Sequence, residues 1–186
     1  TEICEGQQYD VDFESQDSVA IEDYLLMIRL KTAVLLATAL KMGAYLAGAE
    51  QEAQDALYQF GIHIGLAFQI QDDILDVWGD PATFGKAIGG DISCNKKTFV
   101  TITALKMADE ESKKELHYWF GQTLEDNTEK IAAVIKIFER LGVREKCEQV
   151  VEEYTLAALD ILDQLPQNGA TEQLRQLANK LTTRKD

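Results

Sequence analysis

The segment Phe68-Gln69-Ile70-Gln71-Asp72-Asp73-Ile74-Leu75-Asp76 gathers three carboxylates within an otherwise apolar helical pattern. Placing Gln69 at zero puts Asp72 at about 300°, Asp73 at about 40° and Asp76 at about 340° on a helical wheel. The four polar groups therefore share one arc of roughly 100°. Like charges this close repel and destabilise a helix. A hard divalent cation removes the difficulty, and Mg²⁺ with one or two carboxylates, waters and phosphate oxygens fits best. The competing reading is a solvated acidic face at a helix end. Gly61 and Gly65 fall on the same side, where missing side chains would let a ligand approach the backbone.

The loop that follows reads Gly85-Lys86-Ala87-Ile88-Gly89-Gly90-Asp91-Ile92 and then Asn95-Lys96-Lys97-Thr98. Glycines free backbone amides to face an anion, and lysines supply point charges for phosphate. It is not a Walker A loop, because Gly79 and Gly85 are one residue too far apart and Ala87 stands where Ser or Thr is required. Directly after the acidic helix, the lysines read as a diphosphate clamp; alone they would be surface charges. Upstream, Lys31-Thr32 sits among Leu30, Ala33, Val34, Leu35 and Leu36. A lysine in such company is either a snorkelling surface residue or a buried anion ligand. Arg29 lies roughly 160° from Lys31, so the two cannot serve one site from a single helix face. His63 and His117 belong to no HExxH or ExxH pattern, which excludes zinc-protease and di-iron bundle chemistry. His63 reads as a packed helix residue.

These groups must be positioned by helices. The 186 residues hold 46% hydrophobic and 27% charged side chains, values of a soluble globular protein, and only two prolines, Pro81 and Pro166. Ser18 is a plausible N-cap for a helix reaching about Ala47. Further helices are predicted over about 51–78, 99–107, 110–120, 128–141, 143–165 and 171–181, with 79–98 a glycine-marked loop. Residues 1–17 read as an aperiodic acidic surface segment. The whole chain reads as part of one all-α domain. Its net charge of −14 argues against nucleic-acid binding. The most apolar stretch, 33–49, is shorter than a membrane span and carries Lys41. Cys4, Cys94 and Cys147 have no ligand-like spacing and fit free thiols in a reducing cytoplasm.

Together these residues resemble the trans-polyprenyl diphosphate synthases, the family of farnesyl and geranylgeranyl diphosphate synthases. Gly6-Gln7-Gln8-Tyr9-Asp10 looks like its GQxxD segment, and Tyr24 with Lys31-Thr32 matches its YxxxxxxKT helix. Gly65 to Asp76 matches GxxFQxxDDxxD, the second aspartate-rich motif. Gly85-Lys86, Gly89 and Asp91 match GKxxGxD, and Lys96 with Thr98 matches the closing KxT.

The resemblance implies the all-α isoprenoid synthase bundle, working as a homodimer and using Mg²⁺ to bind an allylic diphosphate. Isopentenyl diphosphate would attack the allylic carbocation, extending it by five carbons. Asp72, Asp73 and Asp76 would serve the metal; Lys31, Lys86 and Lys96 would hold the diphosphate; Thr32 and Gln69 would sit near the cation. The family's first aspartate-rich motif lies upstream of GQxxD and no second DDxxD occurs here, so the chain is expected to be the C-terminal half of a synthase, inactive alone. Product length cannot be read. Two alternatives are a terpene cyclase, which usually lacks the KT helix and this form of the loop, and a non-catalytic subunit that modulates a true synthase.

Overall fold

The computed structural model describes residues 1–80, 88–122 and 124–182. Among them every regular element is helical: α1 (Glu2–Glu14), α2 (Ile21–Ile28), a π-helical turn (Arg29–Ala33), α3 (Val34–Leu46), α4 (Gln51–Trp78), α5 (Gly90–Ser93), α6 (Phe99–Met107), α7 (Glu110–Phe120), α8 (Thr128–Leu141), α9 (Val143–Asp163) and α10 (Gly169–Thr182).

Helix α4 occupies the span predicted from its pattern. Phe60, Ile62, Ile64, Leu66, Ala67, Ile70 and Ile74 are all buried, so α4 is covered on several faces rather than along one stripe. Helices α3 and α9 supply most of that cover. The main core joins α4 to Tyr24, Met27 and Ile28 of α2, Phe99 and Val100 of α6, Val134 and Phe138 of α8, and Cys147 and Val151 of α9. A smaller cluster of Phe60, Ile64, Ala158, Leu162 and Ala178 ties α4, α9 and α10 together. No helix among the described residues is long and apolar enough to cross a membrane.

The amino-terminal reading is corrected. Residues 1–17 contain a helix, α1, with Glu2 and Glu5 in its first turn, where the helix dipole favours negative charge. Its buried residues are Gly6 and Phe13 alone, too sparse to show as a period. The next helix starts at Ile21 rather than after Ser18. Val19 is drawn into the core and Ala20 enters extended, with ψ 151°.

The open face expected at Gly61 and Gly65 is also corrected, because Gly61 carries a contact of α4 with α3 and Gly65 one with the π-helical turn just before it. A Cβ on Gly61 would stand 2.5 Å from the Ala37 Cα, and one on Gly65 would stand 2.5 Å from the Ala33 Cα. Gly6 of α1 likewise meets the Lys31 backbone. The missing side chains admit neighbouring backbone, not a ligand.

Candidate active site

Lys31 and Thr32 lie in the π-helical turn. Such widened turns re-aim side chains within an otherwise regular helix. Here Thr32 Oγ1 donates to Gln69 Oε1 at 3.1 Å, and Lys31 Nζ donates to Asp10 Oδ2 at 2.6 Å. The pair joins α1 to the turn, with both side chains partly exposed.

Asp73 has a different setting from the one its wheel position suggests. It is 4% exposed and its carboxylate is taken up by protein donors. The Tyr24 hydroxyl donates to Oδ2 at 2.5 Å, and the backbone N–H of Phe99 donates to the same oxygen at 2.9 Å. Gln69 Nε2 lies 3.5 Å from Oδ1. Phe99 is the first residue of α6, so Asp73 satisfies an N–H that has no partner within that helix. Burial pushes the Asp73 carboxyl up to about 7, while the Tyr24 and Phe99 hydrogen bonds oppose the rise. Burial, with the Asp73 charge behind it, likewise drives the Tyr24 hydroxyl well above its ordinary value.

Asp76 faces the turn after α4. Its Oδ2 accepts from the Asp91 N–H at 3.0 Å, and its carbonyl accepts from Gly89 N–H at 2.7 Å. Lys96 Nζ stands 3.6 Å from Asp91 Oδ1. Burial works against the Lys96 charge, but Asp91 and Asp10 outweigh it and raise the ammonium's pKa. Asp72 is half-buried on α4. Lys86 lies outside the described residues. Among the described residues, no three His, Cys, Asp or Glu side chains converge as a ready-made metal site.

Asp10, Tyr24, Lys31, Gln69, Asp91 and Lys96 line one open cavity of about 1100 Å³, with Asp73 at its wall. Asp72 and Asp76 stand outside that lining. The structure thus links Thr32, Gln69 and Asp73 through hydrogen bonds, pairs Lys31 with Asp10 on the same cavity, and joins Asp76 to the Lys96 turn through Asp91. Asp10, Tyr24 and Asp91 had no role in the sequence reading beyond their motif positions. The spacing of Tyr24 and Lys31, seven residues apart and so nearly on one helix face, was the available signal.

The family model for polyprenyl synthetase matches residues 1–138, which contain every residue of this site. The chain belongs to the polyprenyl synthetase family. A short chain isoprenyl diphosphate synthase of Methanothermobacter thermautotrophicus is 38% identical over 95% of this chain and 54% of its own length. A crystal structure of a geranylgeranyl pyrophosphate synthase superposes with a TM-score of 0.90 at 42% identity, over 100% of this chain and 58% of that one. A geranylgeranyl pyrophosphate synthase from Corynebacterium glutamicum, solved with isoprenyl diphosphate and magnesium, gives 0.89 at 34% identity, over 98% and 52%. The chain thus has the polyprenyl synthetase fold and spans about half the length of the curated relatives it matches.

Proposed function

We propose that this chain forms one wall of a prenyltransferase site, where isopentenyl diphosphate adds to an allylic diphosphate. The observation that carries the reading is the joining of Asp76 to the Asp91–Lys96 turn beside the cavity that Lys31 and Gln69 line.

The donor set fits Mg²⁺. Asp72, Asp76 and Asp91 offer hard carboxylate oxygens, and a Mg²⁺ ion completes its shell with waters and phosphate oxygens rather than with an all-protein cage. Asp72 and Asp76 would hold it, with Asp91 beside them. Asp73, engaged by Tyr24 and Phe99, would hold Gln69 and α6 in place. When bound, the metal would stabilise negative charge on the departing diphosphate.

The remaining work falls to the chain's own residues. Lys96, kept charged by Asp91 and Asp10, and Lys31, now paired with Asp10, would exchange those carboxylates for diphosphate oxygens. Lys86 would add a third cation. The allylic C–O bond would break with its electrons leaving on the diphosphate. The isopentenyl double bond would form the new C–C bond, and the cation left on it would give a proton to the released diphosphate. The oxygens of Thr32 and Gln69 would lie toward the positive carbon and stabilise it through their dipoles. Cys4 and Cys94, exposed free thiols, support a reducing cytoplasm. The exposed apolar side chains Leu35, Met42, Tyr45 and Leu46 of α3 support a further covering surface, as a homodimer or the rest of a complete synthase would provide.

The test is incorporation of labelled isopentenyl diphosphate by the complete protein, with Asp72→Ala and Lys31→Ala alongside. Losses of at least about a hundredfold in turnover are expected for both, in line with removal of a group that stabilises developing charge. Near-normal prenyl transfer by either variant overturns its assignment.

A further inference from the structure

Helix α8 lies outside the aspartate and lysine motifs, yet three consecutive contacts join its start to the turn that carries Asp91 and Lys96. Asn127, just before α8, donates from Nδ2 to Ser93 Oγ at 2.9 Å. Lys130 donates from Nζ to Asn95 Oδ1 at 2.6 Å. The Ile131 side chain fills the space beside Gly89, 2.5 Å from where a Cβ would stand.

Lys130 is 1% exposed. Burying an ammonium is costly unless it is hydrogen-bonded, and among the described residues no carboxylate pairs with this one. Its partner is a neutral amide in an unusual conformation. Asn95 has φ 55°, the one positive φ at a non-glycine residue among the described residues. Most side chains resist that region; asparagine is among the few that enter it, and here its amide oxygen is fixed by Lys130.

What Asn95 controls is the direction of its neighbours. Its own N–H returns to Ile92 O at 3.2 Å, and the Lys96 N–H returns to Asp91 O at 2.9 Å. The left-handed residue is therefore the reversal that brings Lys96 back over Asp91. The far end of the same turn is fastened to Asp76 through Gly89 and Asp91. The turn is held between α4 on one side and Lys130 on the other.

We propose that Lys130 is a positioning residue for the diphosphate and metal site, acting by holding Asn95 in the left-handed turn that aims Lys96 and Asp91. The inference rests on the reading of that site given above. The Asn127–Ser93 bond and the Ile131–Gly89 contact are made by other residues, so replacing Lys130 is expected to leave the turn docked while releasing its aim.

The experiment is calorimetric titration of the complete protein with inorganic diphosphate, with and without Mg²⁺. Lys130→Met should weaken Mg²⁺-dependent binding by on the order of ten- to a hundredfold, the range typical of groups that orient metal ligands. Adding Asn95→Gly to Lys130→Met should recover most of that loss, because glycine adopts positive φ without help. A merely structural lysine would not be rescued from the far side of the hydrogen bond. Should Lys130→Met fail to fold, Asn95→Ala against Asn95→Gly decides the matter: alanine should bind at least about tenfold more weakly than glycine. Equal binding by Lys130→Met and the unaltered protein, a double variant as weak as Lys130→Met, or equal binding by the Ala and Gly variants each overturn the inference alone. No Mg²⁺-dependent binding by the unaltered protein overturns the reading of the site, and this inference with it.

Discussion

The Tyr24 hydroxyl and Asp73 Oδ2 meet at 2.5 Å in the core, joining α2 to α4 across 49 residues of sequence. The N–H of Phe99 reaches the same oxygen, so one carboxylate fixes three helices at the back of the cavity. This arrangement makes Asp73 a hinge between stability and the site, with measurable consequences.

The first concerns pH. In the folded chain Asp73 is pushed up to about 7, chiefly by burial, from an ordinary value of 3.8. Between about pH 4 and 7 the folded state keeps a proton that the unfolded chain has released. The stability this contributes is full below the unfolded value and is lost as pH rises toward 7, by up to about 1.4 kcal/mol per pH unit. Urea unfolding from pH 4 to 8 without Mg²⁺ should show that slope in the difference between the native protein and Asp73→Asn. Parallel profiles would mean that Asp73 is ionised throughout.

Tyr24→Phe removes one donor to Asp73 and keeps the ring that packs against Phe99 at 6.3 Å. The expected loss is about 1–3 kcal/mol, the cost of leaving a buried acceptor short of a partner. Because that donor favours the ionised carboxylate, the pH-dependent decline should also move upward. Chemical denaturation at pH 6 and pH 8 measures both effects, and a loss under about 0.5 kcal/mol at both would show the bond to be dispensable.

Two glycine replacements should act in opposite directions. Gly65→Ala drives a methyl into Ala33 and should cost about 1–3 kcal/mol, as overpacking does. Gly43→Ala, exposed within α3 with nothing within 4 Å of its new Cβ, should stabilise by up to about 1 kcal/mol. Thermal melts of both variants make the comparison. A stabilising Gly65→Ala would contradict the close approach of α4 to the π-helical turn at Ala33.

Thiol chemistry should separate the cysteines. Burial pushes the Cys147 thiol up to about 12, whereas Cys4 and Cys94 are exposed. Thiolate is the reactive form. A maleimide or aromatic disulfide should therefore modify Cys4 and Cys94 in the native protein and Cys147 only after unfolding. Early modification of Cys147, read by mass spectrometry of peptides, would show that α9 opens.

Much of this is legible in the sequence. The span of α4 was legible from its wealth of apolar residues, and those of α6 and α7 from helical patterns that resume after the glycine-marked loop. The Thr98 and Asp109 caps, which accept from the Thr101 and Ser112 N–H groups, came to light only in the structure. The loop position of Asp91 and Lys96 was legible because glycine and lysine cluster there. Helix α1 was not, because it presents only Gly6 and Phe13 to the core and leaves Ile3 and Val11 exposed. The setting of Asp73 was not legible either. A helical wheel assigns a carboxylate to an arc, but the donors that claim it come from α2 and α6, distant in sequence. For the same reason Gly65 suggested open space, where in the fold Ala33 of the π-helical turn fills it. Lys130 gave no sign at all, since its partner lies 35 residues away.

The contact of Gly61 with Ala37 and of Gly65 with Ala33 repeats at a four-residue interval on both helices. Two such toothed surfaces cannot creep past each other. A small slide would set a methyl against backbone, and the next comfortable register is a full turn away, about 5.4 Å along the axis. Thr32, beside Ala33, and Gln69, one turn beyond Gly65, are carried by the same teeth, so their hydrogen bond survives or breaks as a whole and does not stretch by degrees. The Lys31–Gln69 side of the cavity is thereby built on a keyed pair of helical segments, whereas its opposite side is built from the 14–20 segment, the Asp91–Lys97 turn and α6.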